Sequence, residues 1–503
     1  MEFKKDADQA ILSPDRNIDI RNPMHADLVT DNADNLHRRL GNRQIQLLAI
    51  RGSIGTALFI SIGSGLAQAV SLNLFPGWST YSVLLGLVNN GIAEMTVLHP
   101  ISGGFVRMAG NWVDEAFRFM AGWNFFLHEA LGIPSEITAL SLLSYWRNDI
   151  PTAAVILICI LYLFTLVTML CGNLQDDVYG FRYWRDPGPM AEYHSSGTSF
   201  VVVGPEWISI AAAEAKRPRD YVKNAFKTVY WRFAFFFIVG SIFVGIVVPY
   251  NDLTLASSLP GSQDGGRNTV ASLYVIAMAK MEIEGLPHLT IALLFSSISS
   301  AGNTFTYCTT RTLYALALEG RAPTFLQKCT RQGVPVFCVL VVLCFAFLSF
   351  LQVKNGSAKS LTLLTNLMSA GGLIDYIVMC ATYICFYRAC QRQGVDKKSF
   401  PYRGWFQPYS AWIGLIGECT IVLCYGYTRF DLGDISSFIT HYVIKRTKHF
   451  APEDADLLWE RPTIDIHEAS FTSPLVGFWT EMLPLHTRVY VAVHRDRTPR
   501  SLW

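Results

Sequence analysis

The chain reads as an all-α polytopic membrane protein, and three observations carry that expectation. Apolar residues make up 51% of its 503 residues against 16% charged ones, and mean hydropathy is +0.28. Apolar segments recur along the chain with short polar connections between them, and a helix needs about 20 such residues to cross the hydrocarbon core. The first of these segments, residues 45–70, is interrupted by Arg51-Gly52-Ser53-Ile54-Gly55-Thr56. Length alone would allow about three soluble domains, but the even spread of apolar segments favours one membrane bundle.

Taken in order, residues 1–43 are polar, lack a periodic apolar pattern and are expected to form a disordered tail. Arg38, Arg39 and Arg43 precede the first span and predict a cytosolic N-terminus. Within that span each glycine costs a helix about 1 kcal/mol. An interruption there is explained if the helix unwinds around a solute, freeing backbone N–H and C=O groups to hold it. Further spans are predicted at about 78–98, 119–146, 152–171, 233–249, 286–318, 334–353, 361–387 and 411–427, with a weak stub at 200–213. Basic clusters predict cytosolic connections at Lys216–Arg232, at Arg321, Lys328 and Arg331, and at Arg388, Arg392, Lys397, Lys398 and Arg403. Residues 251–284 and 354–360 then alternate to the outside.

The alternation fails twice. Residues 148–151 and 173–197 both read as external, yet one span separates them. After Tyr427, residues 435–444 are too short and polar to cross before the basic Lys445-Arg446-Thr447-Lys448. The transmembrane domain expected over 44–444, between the tails 1–43 and 445–503, is therefore predicted to be abridged.

Several classes are disfavoured. A net charge of +2 gives no footprint for nucleic acid. The cysteines form no CxxC pair and no zinc-spaced cluster with histidine, and they read as small core residues. Gly63-Ser64-Gly65 lacks the preceding strand and third glycine of a dinucleotide loop, and no Walker lysine motif occurs. No cofactor is expected, and no nucleophile–base pair suggests an enzyme.

The candidate site residues cluster at the helix breaks. Gly52, Ser53, Ile54, Gly55 and Thr56 would offer backbone N–H groups to a carboxylate, although small residues also serve plain helix contacts. Arg51 would cost about 2.5–3.5 kcal/mol at mid-membrane unless paired. Glu206 follows the helix-breaking Gly204-Pro205, placing a carboxylate where it could take an amine or a proton; the alternative is a loop-edge glutamate. Glu136, after Pro134, is a second proton candidate inside a span, while Glu129 and His128 read as packing or lumen-facing residues. Asn303, near Ser299 and Ser300, could face substrate or bond to a neighbouring helix.

Longer motifs add a family likeness. Leu36-His37-Arg38-Arg39-Leu40 before the interrupted span, Glu94-Met95, Ser102-Gly103-Gly104-Phe105 and Ala121-Gly122-Trp123-Asn124 resemble the first three helices of the fungal amino acid permeases, in the amino acid–polyamine–organocation superfamily. Gly204-Pro205-Glu206 with Ala211-Ala212-Ala213-Glu214 is similar to their discontinuous sixth helix. Ala301-Gly302-Asn303 with Arg311-Thr312-Leu313-Tyr314-Ala315-Leu316-Ala317 is similar to the eighth. Residues 180–189 look closest to the dicarboxylic amino acid permease branch.

The resemblance implies an inverted five-helix-repeat transporter fold that carries an amino acid with protons across the plasma membrane. It places the substrate at the unwound parts of the first and sixth helices, and Glu136 matches a family position. It also sharpens the departures: about nine or ten clear spans stand against the family's twelve, with the fourth and fifth helices joined into 152–171. A decayed permease or a membrane nutrient sensor that binds without transporting is the alternative.

Overall fold

The computed structural model describes Arg38 and residues 40–53, 62–142, 204–247, 286–330, 334–349, 357–397 and 400–426, together with Leu457, Ile464, Asp465, His467 and Glu468. The described chain is helical. The order is α1 (Asn42–Ser53), α2 (Ile62–Leu98), α3 (Gly104–Trp112), α4 (Glu115–Leu142) and α5 (Pro205–Ala211), which tightens into a 3₁₀ turn at Ala212–Glu214. Next, α6 (Pro218–Arg232) runs through a π-helical stretch (Phe233–Val239) into α7 (Gly240–Val247). The bundle closes with α8 (Leu286–Leu318), α9 (Val336–Ala346), α10 (Ser357–Arg392) and α11 (Tyr409–Gly426). Among the described residues, Phe75–Leu98, Pro218–Phe243 and Leu367–Arg392 are long and apolar enough to cross a bilayer.

Two boundaries differ from expectation. Residues 62–70 and 78–98, expected in separate spans, form one helix with Pro76 inside it. The stretch 71–77 carries no charge, so nothing there demands an exit to water, and proline removes one helix bond without ending the pattern. At 37 residues α2 is about 55 Å long, more than the ~30 Å hydrocarbon core, so part of it lies beyond the core. The basic connection at Lys216–Arg232 is mostly helix α6. Pro218 opens it, and Tyr221, Val222, Ala225, Phe226 and Val229 recur at helical spacing and are buried, leaving Lys227 exposed. Clustered charge had concealed that apolar stripe. The predicted span at 152–171 and the outer loop at 251–284 lie outside the described residues.

Packing builds the centre from crossing helices. α4 packs along α8 and α10; α10 also meets α2, α3 and α11; α6 and α7 lie on α2. Gly132 lets α4 approach the Phe305 ring of α8, where an added Cβ would sit 2.6 Å from a ring carbon. The short helix α5 lies among α1, α2, α3, α6 and α8.

The α2–α3 turn seals this centre. Gly103 and Gly104 have φ of 72° and 47°, and a Cβ on Gly104 would fall 2.6 Å from Ser209 Oγ of α5. Gly104→Ala is expected to destabilise the purified protein by about 1–3 kcal/mol, read as a lower thermal unfolding midpoint. Gly320→Ala, where φ is 71° but space is open, should shift it less. Equal shifts would mean that contact with Ser209 is not the cause.

Candidate functional site

Gly204, with φ of 156°, bends the chain into α5, and proline takes the first helical position. Every residue from Pro205 to Ala211 is buried. The Glu206 carboxylate folds back on its own helix start: Oε1 accepts from the Gly204 N–H at 2.9 Å, and Oε2 accepts from the Tyr376 hydroxyl of α10 at 3.2 Å. One residue on, Trp207 Nε1 donates to Glu129 Oε1 of α4 at 2.9 Å. Ser209 Oγ accepts from Thr96 Oγ1 of α2 and from the Phe105 N–H of α3, both at 3.1 Å.

Around the start of α5 three acids gather. Glu129, Glu206 and Asp375 are 0%, 2% and 1% exposed, and their charges act on one another. Asp375 Oδ1 accepts from Asn124 Nδ2 at 3.0 Å, and that amide also donates to Gly371 O at 2.8 Å. The second oxygens, Glu129 Oε2 and Asp375 Oδ2, find no hydrogen-bond partner among the described residues. His128 stands beside Glu129 at 3.7 Å, with its Nδ1 2.6 Å from Met368 O. Buried Arg232 of α6 acts on Glu206 electrostatically. Three acids withdrawn from water, with two oxygens unpartnered, favour an incoming positive charge: a proton or an ammonium group.

The predicted residues divide between this cluster and its surroundings. Gly204 and Glu206 are in it. Gly52 and Ser53 end α1, which packs on α5 and α8, while Ile54, Gly55 and Thr56 lie outside the described residues. Glu136 is buried on α4, roughly 10 Å of helix beyond Glu129. Its Cβ faces Gly302 of α8, 3.5 Å from where a glycine Cβ would be. Asn303 is exposed on α8, and no described contact joins it to Glu206. Glu129, expected to be a packing or lumen residue, is buried and bonded to α5. Asp375 and Tyr376 were missed; an acid inside the apolar run Leu373-Ile374-Asp375-Tyr376-Ile377-Val378 was the available signal.

Spanning helices that close around a short buried helix and a group of acids define a membrane transporter. The sequence matches the amino acid permease family over residues 44–172 and 154–445, and the chain belongs to that family. It is 34% identical over 501 residues to the general amino acid permease AGP2 of Saccharomyces cerevisiae, covering 86% of this chain and 83% of that one. It is 31% identical to the proline-specific permease of Emericella nidulans (81% and 82% covered) and 31% identical to the dicarboxylic amino acid permease of S. cerevisiae (82% and 76%). A solved Na⁺-coupled sialic acid symporter overlaps 80% of this chain and 95% of its own at 14% identity, with a TM-score of 0.48.

Tyr376→Phe keeps the ring and removes the donor to Glu206. We expect it to lower stability by about 1.5–3 kcal/mol, the range for a bond to a charged group, seen as a reduced thermal midpoint in detergent. An unchanged midpoint would mean that the hydroxyl does not hold Glu206 in the folded protein.

Proposed function

We propose that this permease takes up amino acids by proton symport across the plasma membrane, with its N-terminus in the cytosol. The observation that supports this most directly is the buried acid cluster at the start of α5, with unpartnered oxygens on Glu129 and Asp375. In this reading the substrate ammonium is drawn to the acids, and its carboxylate meets backbone N–H groups at Gly52, Ser53, Ile54, Gly55 and Thr56. Glu206 and Gly204 form the facing wall, Asn303 contributes from α8, and Glu206 and Glu136 exchange the coupled proton. Glu206 is already held by Gly204 and Tyr376. Loading the site therefore means exchanging those bonds for substrate or proton. Rocking of one bundle against the other would then present the site to either side.

The domain layout proposed with this function is a membrane body over 44–444 between cytosolic tails 1–43 and 445–503. A second reading, a membrane nutrient sensor or decayed permease that does not transport, draws on one observation. The two family matches overlap at 154–172, so one stretch of chain serves both. That agrees with two family helices being joined there.

Uptake of labelled amino acid by cells expressing the chain tests both readings. Uptake should rise as external pH falls. Glu206→Gln, which cannot exchange a proton, should flatten that dependence and reduce accumulation about tenfold, equivalent to about 1.4 kcal/mol. Glu136→Gln should do the same if it shares the proton. Glutamine variants that keep the wild-type pH profile would refute the coupling. Ligand-induced thermal stabilisation without uptake would support the sensor.

A further inference from the structure

Two basic clusters far apart in sequence meet on one face of the bundle. Lys223 and Lys227 come from α6, and Arg403 from the connection between α10 and α11. With Tyr230, Trp231 and Trp405 they line a cavity of about 710 Å³ that has no acidic residue among the described residues of its wall. Lys223 Nζ donates to Pro401 O at 2.9 Å and ties the two segments together. Lys227 and Arg403 are exposed and form no ion pair with an acid among the described residues.

A solvated basic face would end there, but this one continues into an apolar groove. Tyr230 and Trp405, with ring centroids 5.3 Å apart, also line a second cavity of about 240 Å³. Its other walls include Val83, Gly86 and Leu87 of α2, Phe233 and Ile238 of the π-helical stretch, and Phe406, with Ser82 and Asn90 as its polar members. The rim is aromatic and open: Trp231 is 79% exposed, Trp405 64% and Phe406 79%. Gly86 keeps the groove floor low, since a Cβ there would already touch the Tyr230 ring at 3.7 Å.

Cations, a tryptophan rim and an apolar slot in sequence match the three zones of one phospholipid: charged headgroup, interface and acyl chain. We infer that this face binds an anionic glycerophospholipid, its headgroup phosphate against Lys227 and Arg403 and one acyl chain in the groove past Gly86. Both basic clusters fall on the side that the charge distribution assigns to the cytosol, the leaflet where anionic lipids are enriched. A soluble phosphate or an acidic peptide would satisfy the cations but leave the groove without a purpose.

Native mass spectrometry of the purified full chain, presented with equal dioleoyl-phosphatidylserine and dioleoyl-phosphatidylcholine, tests this. Phosphatidylserine should be retained several-fold over phosphatidylcholine. Lys227→Gln with Arg403→Gln should bring that ratio to about one without moving the thermal midpoint, because both side chains are exposed. Gly86→Leu should reduce retention of both lipids; if it unfolds the protein, Val83→Trp, at a position 60% exposed, fills the same groove from its rim. Soluble glycerophosphoserine should not compete. Equal retention by the unmodified chain, an unchanged ratio in the double variant, or displacement by glycerophosphoserine or inorganic phosphate would overturn the proposal.

Discussion

A seven-residue helix buried along its whole length cannot satisfy its own ends, and the surrounding structure is arranged to do so for α5. At its start the Gly204 N–H finds the Glu206 side chain. In its middle the Ser209 hydroxyl gathers Thr96 and the Phe105 N–H. Past its end, Leu40 exchanges backbone bonds with the emerging chain: the Leu40 N–H donates to Glu214 O at 2.8 Å, and the Lys216 N–H donates to Leu40 O at 2.9 Å. A continuous helix would need none of these. The Gly104 turn, Leu40 before α1 and the acid on α5 all meet this one short helix or its exit.

The same break explains why acids can be held here. A carboxylate buried in an apolar bundle is costly unless it is bonded. Glu206 is held by the N–H of Gly204 that the break frees and by Tyr376, and Glu129 by the Trp207 indole. Glu206 spends both oxygens on the scaffold, whereas Glu129 and Asp375 each spend one and leave the other without a partner among the described residues. An arrangement made only for stability would pair or replace those oxygens, since apolar side chains of similar size cost less. The proposed binding role gives those oxygens a partner that the described packing does not supply.

Much of this was legible in the sequence, for identifiable reasons. Gly204-Pro205-Glu206 announces its own geometry, because glycine followed by proline fixes where a helix starts and glutamate is rare inside a span. The long spans of α4, α8 and α10 followed from apolar length. Asp375 was hidden because a single acid in an apolar run has no periodicity to mark it, and only packing of α10 on α4 brings it to Asn124. The Glu129 contact was hidden as well, because its partner, Trp207, is 78 residues away in sequence. The helix α6 was missed because positive charge was read as loop, although its apolar stripe was present. Local chemistry was readable; convergence across distant segments was not.

The two ends of α5 are bonded to different helices. Its start is bonded to α4 and α10 through Glu129 and Tyr376. Its end is bonded to α8, where Arg311 Nε meets Glu214 Oε1 at 2.6 Å with both side chains largely buried. Removing one partner of such a pair costs about 3–5 kcal/mol, because the other charge is left without compensation. The exit from α5 is held further. The His467 ring meets Lys216 O at 3.0 Å, the Arg219 N–H donates to Glu468 Oε1 at 3.0 Å, and Arg219 pairs with Asp465. Chain from before α1 and chain from near residue 465 thus grip the same short segment. The Arg311–Glu214 pair makes the end of α5 move with α8, whereas its start is bonded to α4 and α10. Changing the charge or the partners of Glu206 alters the bonds at one end of a short rigid element whose other end is fixed by an ion pair. The helix α5 thereby connects α4 and α10, at its start, with α8, at its end. In the proposed transport reading, one short helix therefore carries both the acid offered to a solute and the bonds that join α4 and α10 to α8.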